Sequence, residues 1–202
     1  TELFGDRGLV KGNEELVPER GWQADLGLRL EVPGPDWLHA VVDTMGFVGE
    51  RRDLIAMITT SQQTLVPINI GRADVRGIEA GLELDLGGWV DSQTSLTFTD
   101  TVNRSSQDEW AGNQLPRIPK VELYQATSVH WRELVRVGHT FSFIDGNYWD
   151  ATNWYRAAPR PIHGAFVRVR PGAGAPDFEL EVLNLANTTV QVMDRNPLDP
   201  SD

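Results

Sequence analysis

From residue 78 to residue 86 the chain alternates strictly. Ile78, Ala80, Leu82, Leu84 and Leu86 fall on one side, and Glu79, Gly81, Glu83 and Asp85 on the other. A side-chain period of two is that of a β-strand, so this segment carries an apolar face and a face bearing three carboxylates. It separates an apolar medium from a polar one: a protein core from water, or lipid outside a barrel from water within it. The same pattern recurs where Trp22, Ala24, Leu26, Leu28 and Leu30 alternate with Gln23, Asp25, Gly27, Arg29 and Glu31. Further strands are predicted at Trp37–Phe47, Asn69–Leu86, Trp89–Thr101, Pro119–Trp131, Leu134–Ile144, Ile162–Arg170 and Phe178–Leu185, about eight strands in all.

The connections between these strands come in two kinds. Pro33-Gly34-Pro35-Asp36, Gly87-Gly88, Arg132-Glu133 and the Pro- and Gly-rich stretch 171–176 are tight turns, because proline and glycine supply turn dihedrals without strain. Between them lie long polar excursions at 48–67, 102–116 and 145–159. Long structureless loops are uncommon in compact soluble domains, whereas outer-membrane barrels join their strands by short periplasmic turns and long extracellular loops. Nineteen glycines and twelve prolines in 202 residues fit an all-β chain. No run of about 18 apolar residues is present to form a transmembrane helix, but a barrel strand needs only about 9–11 alternating residues.

A formal charge of -11 argues against nucleic acid as a partner. With no cysteine, disulfides and thiolate metal sites are excluded. The start, Thr1 to Gly8, has no initiating Met, no basic segment and no apolar core, so it does not read as a signal peptide and is expected to continue something longer.

Four segments, in order, resemble the C-terminal part of the β-barrel of TonB-dependent outer-membrane receptors. Gly12-Asn13-Glu14-Glu15-Leu16-Val17-Pro18-Glu19 is similar to the family's Gly-Asn-Pro…Pro-Glu segment, with Glu14 where the family usually has proline. Asp53-Leu54-Ile55, Asn69-Ile70-Gly71 and Gly77-Ile78-Glu79 resemble its Asp-Leu-Ile, Asn-x-Gly and Gly-Val-Glu series. Leu115-Pro116-Arg117-Ile118-Pro119 looks like the start of a late strand, and Glu181-Val182-Leu183-Asn184-Leu185-Ala186-Asn187 like the penultimate strand. The resemblance implies an all-β, antiparallel up-and-down transmembrane barrel, of which residues 1–202 supply about eight strands of the C-terminal portion. The plug domain and the final strand, which would follow Asn196–Asp202, are expected to be absent. It further implies uptake of a scarce nutrient, such as an iron chelate or cobalamin, by a receptor in the bacterial outer membrane. The partners implied are that nutrient, the surrounding lipid, and TonB acting only through the plug; no cofactor and no enzymatic activity are implied.

Within that frame Glu79, Glu83 and Asp85 are expected to face a wet lumen; spaced two apart on an open sheet, they do not resemble a catalytic carboxylate pair. Tyr148, Trp149, Trp154 and Tyr155 crowd one long loop and are the candidate ligand contacts. Trp22, Trp37, Trp89 and Trp131 lie at strand ends, where an interfacial girdle is expected. His39, His130, His139 and His163 are scattered along the chain without a metal-binding spacing, and the segment Asp145–Asp150 lacks the spacing and closing Glu of a calcium loop. No catalytic residue and no metal site are therefore assigned. Two other readings remain open: a complete small eight-stranded outer-membrane barrel with an adhesin or structural role, and a soluble β-sandwich or lipocalin-like binding domain whose apolar faces meet inside.

Overall fold

The computed structural model describes residues 6–7, 10–59, 64–69, 71–105, 109–172 and 174–190. Ile70 of the Asn-Ile-Gly motif, Ala173 of the last turn and the Asn196–Asp202 segment fall outside the described residues. Eight long or medium strands form one antiparallel sheet. They are β3 (Arg20–Val32), β4 (Leu38–Arg52), β7 (Arg72–Leu86), β8 (Val90–Asn103), β9 (Val121–Trp131), β10 (Val135–Asp145), β11 (Arg160–Val169) and β12 (Phe178–Val182). Their order, β12-β11-β10-β9-β8-β7-β4-β3, follows the chain, so every connection joins neighbours and the sheet is up-and-down. Four short strands, β1 (Asp6–Arg7), β2 (Val10–Lys11), β5 (Ile55–Thr59) and β6 (Leu65–Asn69), form a second small sheet in the order β1-β2-β6-β5. No helix occurs among the described residues.

The excursion expected to be loop from Val48 to Pro67 is in part strand. β4 runs on to Arg52, and Ile55–Thr59 pairs antiparallel with Leu65–Asn69. The reason lies in partners: each residue from Val48 to Arg52 has a registered neighbour in both β3 and β7, so the backbone pairing continues beyond the apolar alternation. Conversely, β7 begins at Arg72 rather than Asn69, because Asn69 belongs to β6, and the last strand stops at Val182.

Register sorts the side chains into two faces. Leu28, Thr44, Ala80, Leu96, Leu123, Phe143 and Pro161 stand abreast across seven strands on one face. One residue along, Arg29, Asp43, Gly81, Ser95, Tyr124, Ser142 and Ile162 stand abreast on the other. The first face carries the alternating leucines and valines of the sequence, and the second carries most of the charge. Among the described residues the apolar face has no second sheet against it: Leu26, Ile78 and Phe98 are exposed at 82%, 57% and 49%. A sandwich, in which such faces bury one another, is not what forms. Nor does the sheet close on itself, since β3 and β12 are its two edges and do not pair.

All four short turns (33–37, 87–89, 132–134 and 170–177) lie at one end of the sheet, and the long connections at the other. Trp37, Trp89 and Trp131 are exposed at the short-turn end, and Trp22 is exposed near the loop end. Toward the loops the apolar face ends at a belt of ion pairs. Arg76 contacts Asp100 at 2.8 Å and Arg104 contacts Asp74 at 2.8 Å, while Arg72 reaches Glu50 and Asp74.

Glycine makes room where aromatic rings lie over the polar face. A Cβ on Gly138 would stand 2.2 Å from the Phe166 ring, and one on Gly77 would stand 2.2 Å from the Phe98 carbonyl oxygen and 2.3 Å from the Phe47 ring. The backbone clash cannot be relieved by a side-chain rotation. Gly77→Ala is therefore expected to destabilise the sheet by about 1–3 kcal/mol, the usual cost of overpacking, read as a lowered urea midpoint at unchanged slope. Gly88→Ala, which meets no atom within 4 Å but takes a positive φ of 70°, controls for turn strain alone.

Candidate functional site

Two regions concentrate polar chemistry: the loop end and the polar face. At the loop end the segments that resemble family motifs pack on one another. Asn69 Nδ2 donates to the carbonyl oxygens of Val17 (3.0 Å) and Asp53, and Val17 N donates to Asn69 Oδ1 at 3.0 Å. Asn13 Nδ2 donates to the Pro67 carbonyl at 3.0 Å, Ile55 N donates to Glu19 at 2.7 Å, and Arg20 pairs with Asp53 at 2.8 Å. Three stretches far apart in sequence thus meet around one asparagine side chain.

The loops 104–120 and 146–159 are likewise tied together. Gln114 N donates to Asn153 Oδ1 at 2.8 Å, and Asn153 Nδ2 donates back to the Gln114 carbonyl at 3.0 Å. Gln114 Nε2 donates to the carbonyls of Ile118 and Gly146, both at 2.6 Å, and Arg117 N donates to the Tyr148 carbonyl at 2.7 Å. Asn153 holds φ at 58° and Arg117 at 62°, a conformation that non-glycine residues adopt only where surrounding bonds enforce it. Gln114, Leu115, Asn147 and Ala157 are buried in the junction. Among the described residues, buried polar side chains outnumber buried apolar ones, because a single sheet has no interior of its own.

Asp150 organises the outer part of the second loop. Its carboxylate accepts hydrogen bonds from the backbone N–H groups of Thr152 (3.1 Å), Trp154 (3.2 Å) and Tyr155 (2.8 Å), and from the Thr152 hydroxyl. Partial burial opposes its ionisation, but the Thr152 hydroxyl and the Tyr155 and Trp154 amides outweigh that and hold the carboxyl below its ordinary value. Trp149 N donates to the Tyr155 carbonyl at 2.8 Å, closing the loop across its neck. Of the four candidate aromatics, Tyr148 and Trp149 are half-buried in this neck, Tyr155 is exposed, and Trp154 is 83% exposed. The carboxylates suggestive of a calcium loop are both engaged, Asp145 by Arg156 at 2.9 Å and Asp150 by its own loop.

On the polar face, Glu79, Glu83 and Asp85 share one side of β7, as their spacing requires. They differ in partners. Asp85 accepts the Gly88 N–H at 3.0 Å and so stabilises its turn, and Glu83 lies 3.9 Å from Arg29, which also pairs with Asp43 at 2.9 Å. Glu79 lies beside Arg29, Asp43, Ser95 and Thr97 along an open hollow of about 520 Å³. A second hollow of about 460 Å³ is lined by His39, Glu83, Asp85, Asp91, Ser128 and Arg136, among others.

Here the structure assembles a cluster that the sequence spacing conceals. Asp91 accepts from Arg136 Nη2 at 2.8 Å, from the Ser128 hydroxyl and from His130, and Arg136 Nε donates to Ser128 Oγ at 2.9 Å. Asp91 is registered with Ser128, and His130 with Arg136; only register across three strands brings them together. The histidines are also less scattered than in sequence, for His139 Nε2 lies 3.2 Å from His163 Nδ1. Among the described residues, no group of three or more His, Cys, Asp or Glu is placed to hold a metal ion.

An open up-and-down antiparallel sheet, apolar on one face and polar on the other, with turns at one end and interlocked loops at the other, defines a segment of β-barrel wall. The family model described as TonB dependent receptor-like, beta-barrel matches residues 1–185, and the chain belongs to that family. A search of curated proteins finds no match. Among solved structures the fold is similar to the siderophore receptor PiuA from Acinetobacter baumannii, at 20% identity and a TM-score of 0.68, over 83% of this chain and 24% of that one. It is similar to the copper transporter OprC at 20% identity and 0.68, over 88% and 27% of the two chains. The ferric yersiniabactin uptake receptor FyuA from Yersinia pestis matches at 16% and 0.68, over 84% and 25%. The chain thus spans about a quarter of the length of these proteins.

Proposed function

We propose that this chain is the C-terminal part of the barrel wall of a bacterial outer-membrane receptor that takes up a scarce nutrient, such as an iron chelate or cobalamin, with energy relayed by TonB. The carrying observation is the division of one eight-stranded sheet into an apolar and a polar face, with every short turn at one end and the interlocked loops at the other. On this reading the apolar face meets lipid, the Trp37, Trp89 and Trp131 end is periplasmic, and Glu79, Glu83 and Asp85 line the lumen. The backbone edges of β3 and β12 cannot remain unpaired in hydrocarbon, so further strands of the same wall would flank them. Family membership supports the reading, as do neighbours whose names specify siderophore, copper or ferric chelate uptake.

The loop held by Asp150 is the proposed ligand contact, with Trp154 and Tyr155 offering their rings and with Tyr148 and Trp149 supporting them from the neck. The test is uptake by cells producing the receptor, with ferric chelates, cobalamin and copper as separate labelled probes. One probe should accumulate only where the TonB complex is intact. Trp154→Ala should weaken binding of that probe by about tenfold or more, as removal of a contact aromatic does. Accumulation that persists without TonB would overturn the reading; an unchanged Kd in Trp154→Ala would remove this loop from the site.

A further inference from the structure

Short of the ion-pair belt, and apart from the single Thr44, polar side chains on the apolar face gather at one place. Ser92, Thr94, Gln125, Thr127, His139 and His163 all point to that face, on four consecutive strands from β8 to β11. Ser92, Thr127 and His139 stand abreast in one row; Thr94, Gln125, Phe141 and His163 stand abreast in the next. Leu96, Leu123 and Phe143 border the patch toward the loops, and Val90, Val129, Val137 and Val167 border it toward the turns. Thr127 lies four residues from Trp131, about 13 Å along the strand at roughly 3.3 Å per residue. With the usual tilt of about 45° that is some 9 Å above the tryptophans of the turn end, well inside an apolar band about 25 Å tall.

Within the patch Ser92 Oγ and Thr127 Oγ1 are 2.8 Å apart, Gln125 Nε2 donates to Thr127 Oγ1, and the two imidazoles meet at 3.2 Å. These bonds leave Gln125 Oε1, His139 Nδ1 and His163 Nε2 without a hydrogen-bond partner among the described residues. Acyl chains offer such groups nothing, and polar groups facing hydrocarbon are costly.

We propose that this patch is the contact surface between two copies of the protein in the membrane plane. The inference rests on the reading that the apolar face meets lipid. Three features point to a second copy. The patch contains no carboxylate, lysine or arginine. Its hydroxyls, amide and imidazoles offer both hydrogen-bond donors and acceptors. Such a surface is complementary to itself across a two-fold axis, the commonest symmetry of oligomers. A lipid headgroup, charged and confined to the interface, finds no carboxylate, lysine or arginine here to pair with and does not reach the depth of the patch. Hydrogen bonds from Ser, Thr, Gln and His are also the ones that join membrane segments where no hydrophobic gain separates association from solvation by lipid.

The chain has no cysteine of its own, so single cysteines report the contact. In native outer membranes treated with a mild oxidant, Thr94→Cys should give a disulfide-linked species of twice the parent mass. Leu26→Cys should not: it is on the same face but three strands away, about 14 Å at ~4.8 Å per strand. Replacing the patch by apolar residues (Gln125→Leu, Thr127→Val, His139→Phe and His163→Phe) in the Thr94→Cys background should lower the doubled species by about tenfold, the loss of one or two membrane hydrogen bonds. No doubled species from Thr94→Cys, equal products from both cysteines, or a product of another mass would each overturn the proposal. A nitroxide at Leu26 separates the two levels of inference. If it is reached by lipid-dissolved oxygen while Thr94→Cys stays monomeric, the self-contact alone fails; if it is shielded from lipid, the wall reading itself fails.

Discussion

Replacing Asp150 with alanine releases the outer part of the loop between β10 and β11 and leaves the sheet intact. Three backbone donors and one hydroxyl converge on that carboxylate, and its removal leaves the three N–H groups to water or to nothing. Hydrogen bonds to a charged group contribute about 1.5–3 kcal/mol each when retained. Solvent competes here, so the local loss is set at about 2–3 kcal/mol for the set. The amides of Trp154 and Tyr155 should then exchange roughly 30- to 150-fold faster, while those of His139 and Thr140 in β10 keep their protection. Acid should act in the same way. A carboxyl held below its ordinary value stabilises the native loop fully above the unfolded value of about 3.9, and that contribution is lost as pH falls through the lowered native value. The loop should therefore be unchanged at pH 5 and open only below the ordinary carboxylate range. Opening that begins near pH 6 would assign the transition to another group. Because Trp154 and Tyr155 donate their own backbone amides to Asp150, the variant should also weaken the ligand contact proposed for Trp154.

Leu82→Arg should be the most damaging single substitution in the wall. Leu82 lies on the apolar face between Val42 and Thr94, and Gln93, registered with Glu83, occupies the opposite face one position along. If the apolar face meets lipid, an arginine there costs about 2–4 kcal/mol at mid-bilayer depth, whereas Gln93→Arg places a cation beside Glu83 in an aqueous setting and should be nearly neutral. Folding titrations of the two variants in phospholipid vesicles measure the contrast. Equal effects would mean that the two faces see the same medium, and would remove the basis for assigning lumen and lipid sides.

The positions where sequence and structure part company are informative. The strand of residues 78–86 was legible because a period of two with leucines on one side has only one regular solution. Val48–Arg52 was not, since its polarity no longer alternates and only the strands on either side hold it extended. The aromatic loop could be singled out from its composition, and the Asp150-x-Thr152 pattern is a known local turn signal. The reciprocal amide pair of Gln114 and Asn153 carries no such signal, because its partners lie 39 residues apart. The same holds for Asp91 with His130 and Arg136, and for His139 with His163: each is an accident of register until the sheet exists.

Sequence alone therefore determined the eight strands of the large sheet, though not all their ends, the alternation of turns and loops, and the sorting of each of these strands into an apolar and a polar side, because these depend on local dihedral preference and a two-residue period. Only the tertiary structure decided what stands beside what. Cross-strand register, a property of paired backbones, made the Asp91 cluster and a polar patch on the apolar face, and loop packing a buried junction, out of residues that lie far apart along the chain.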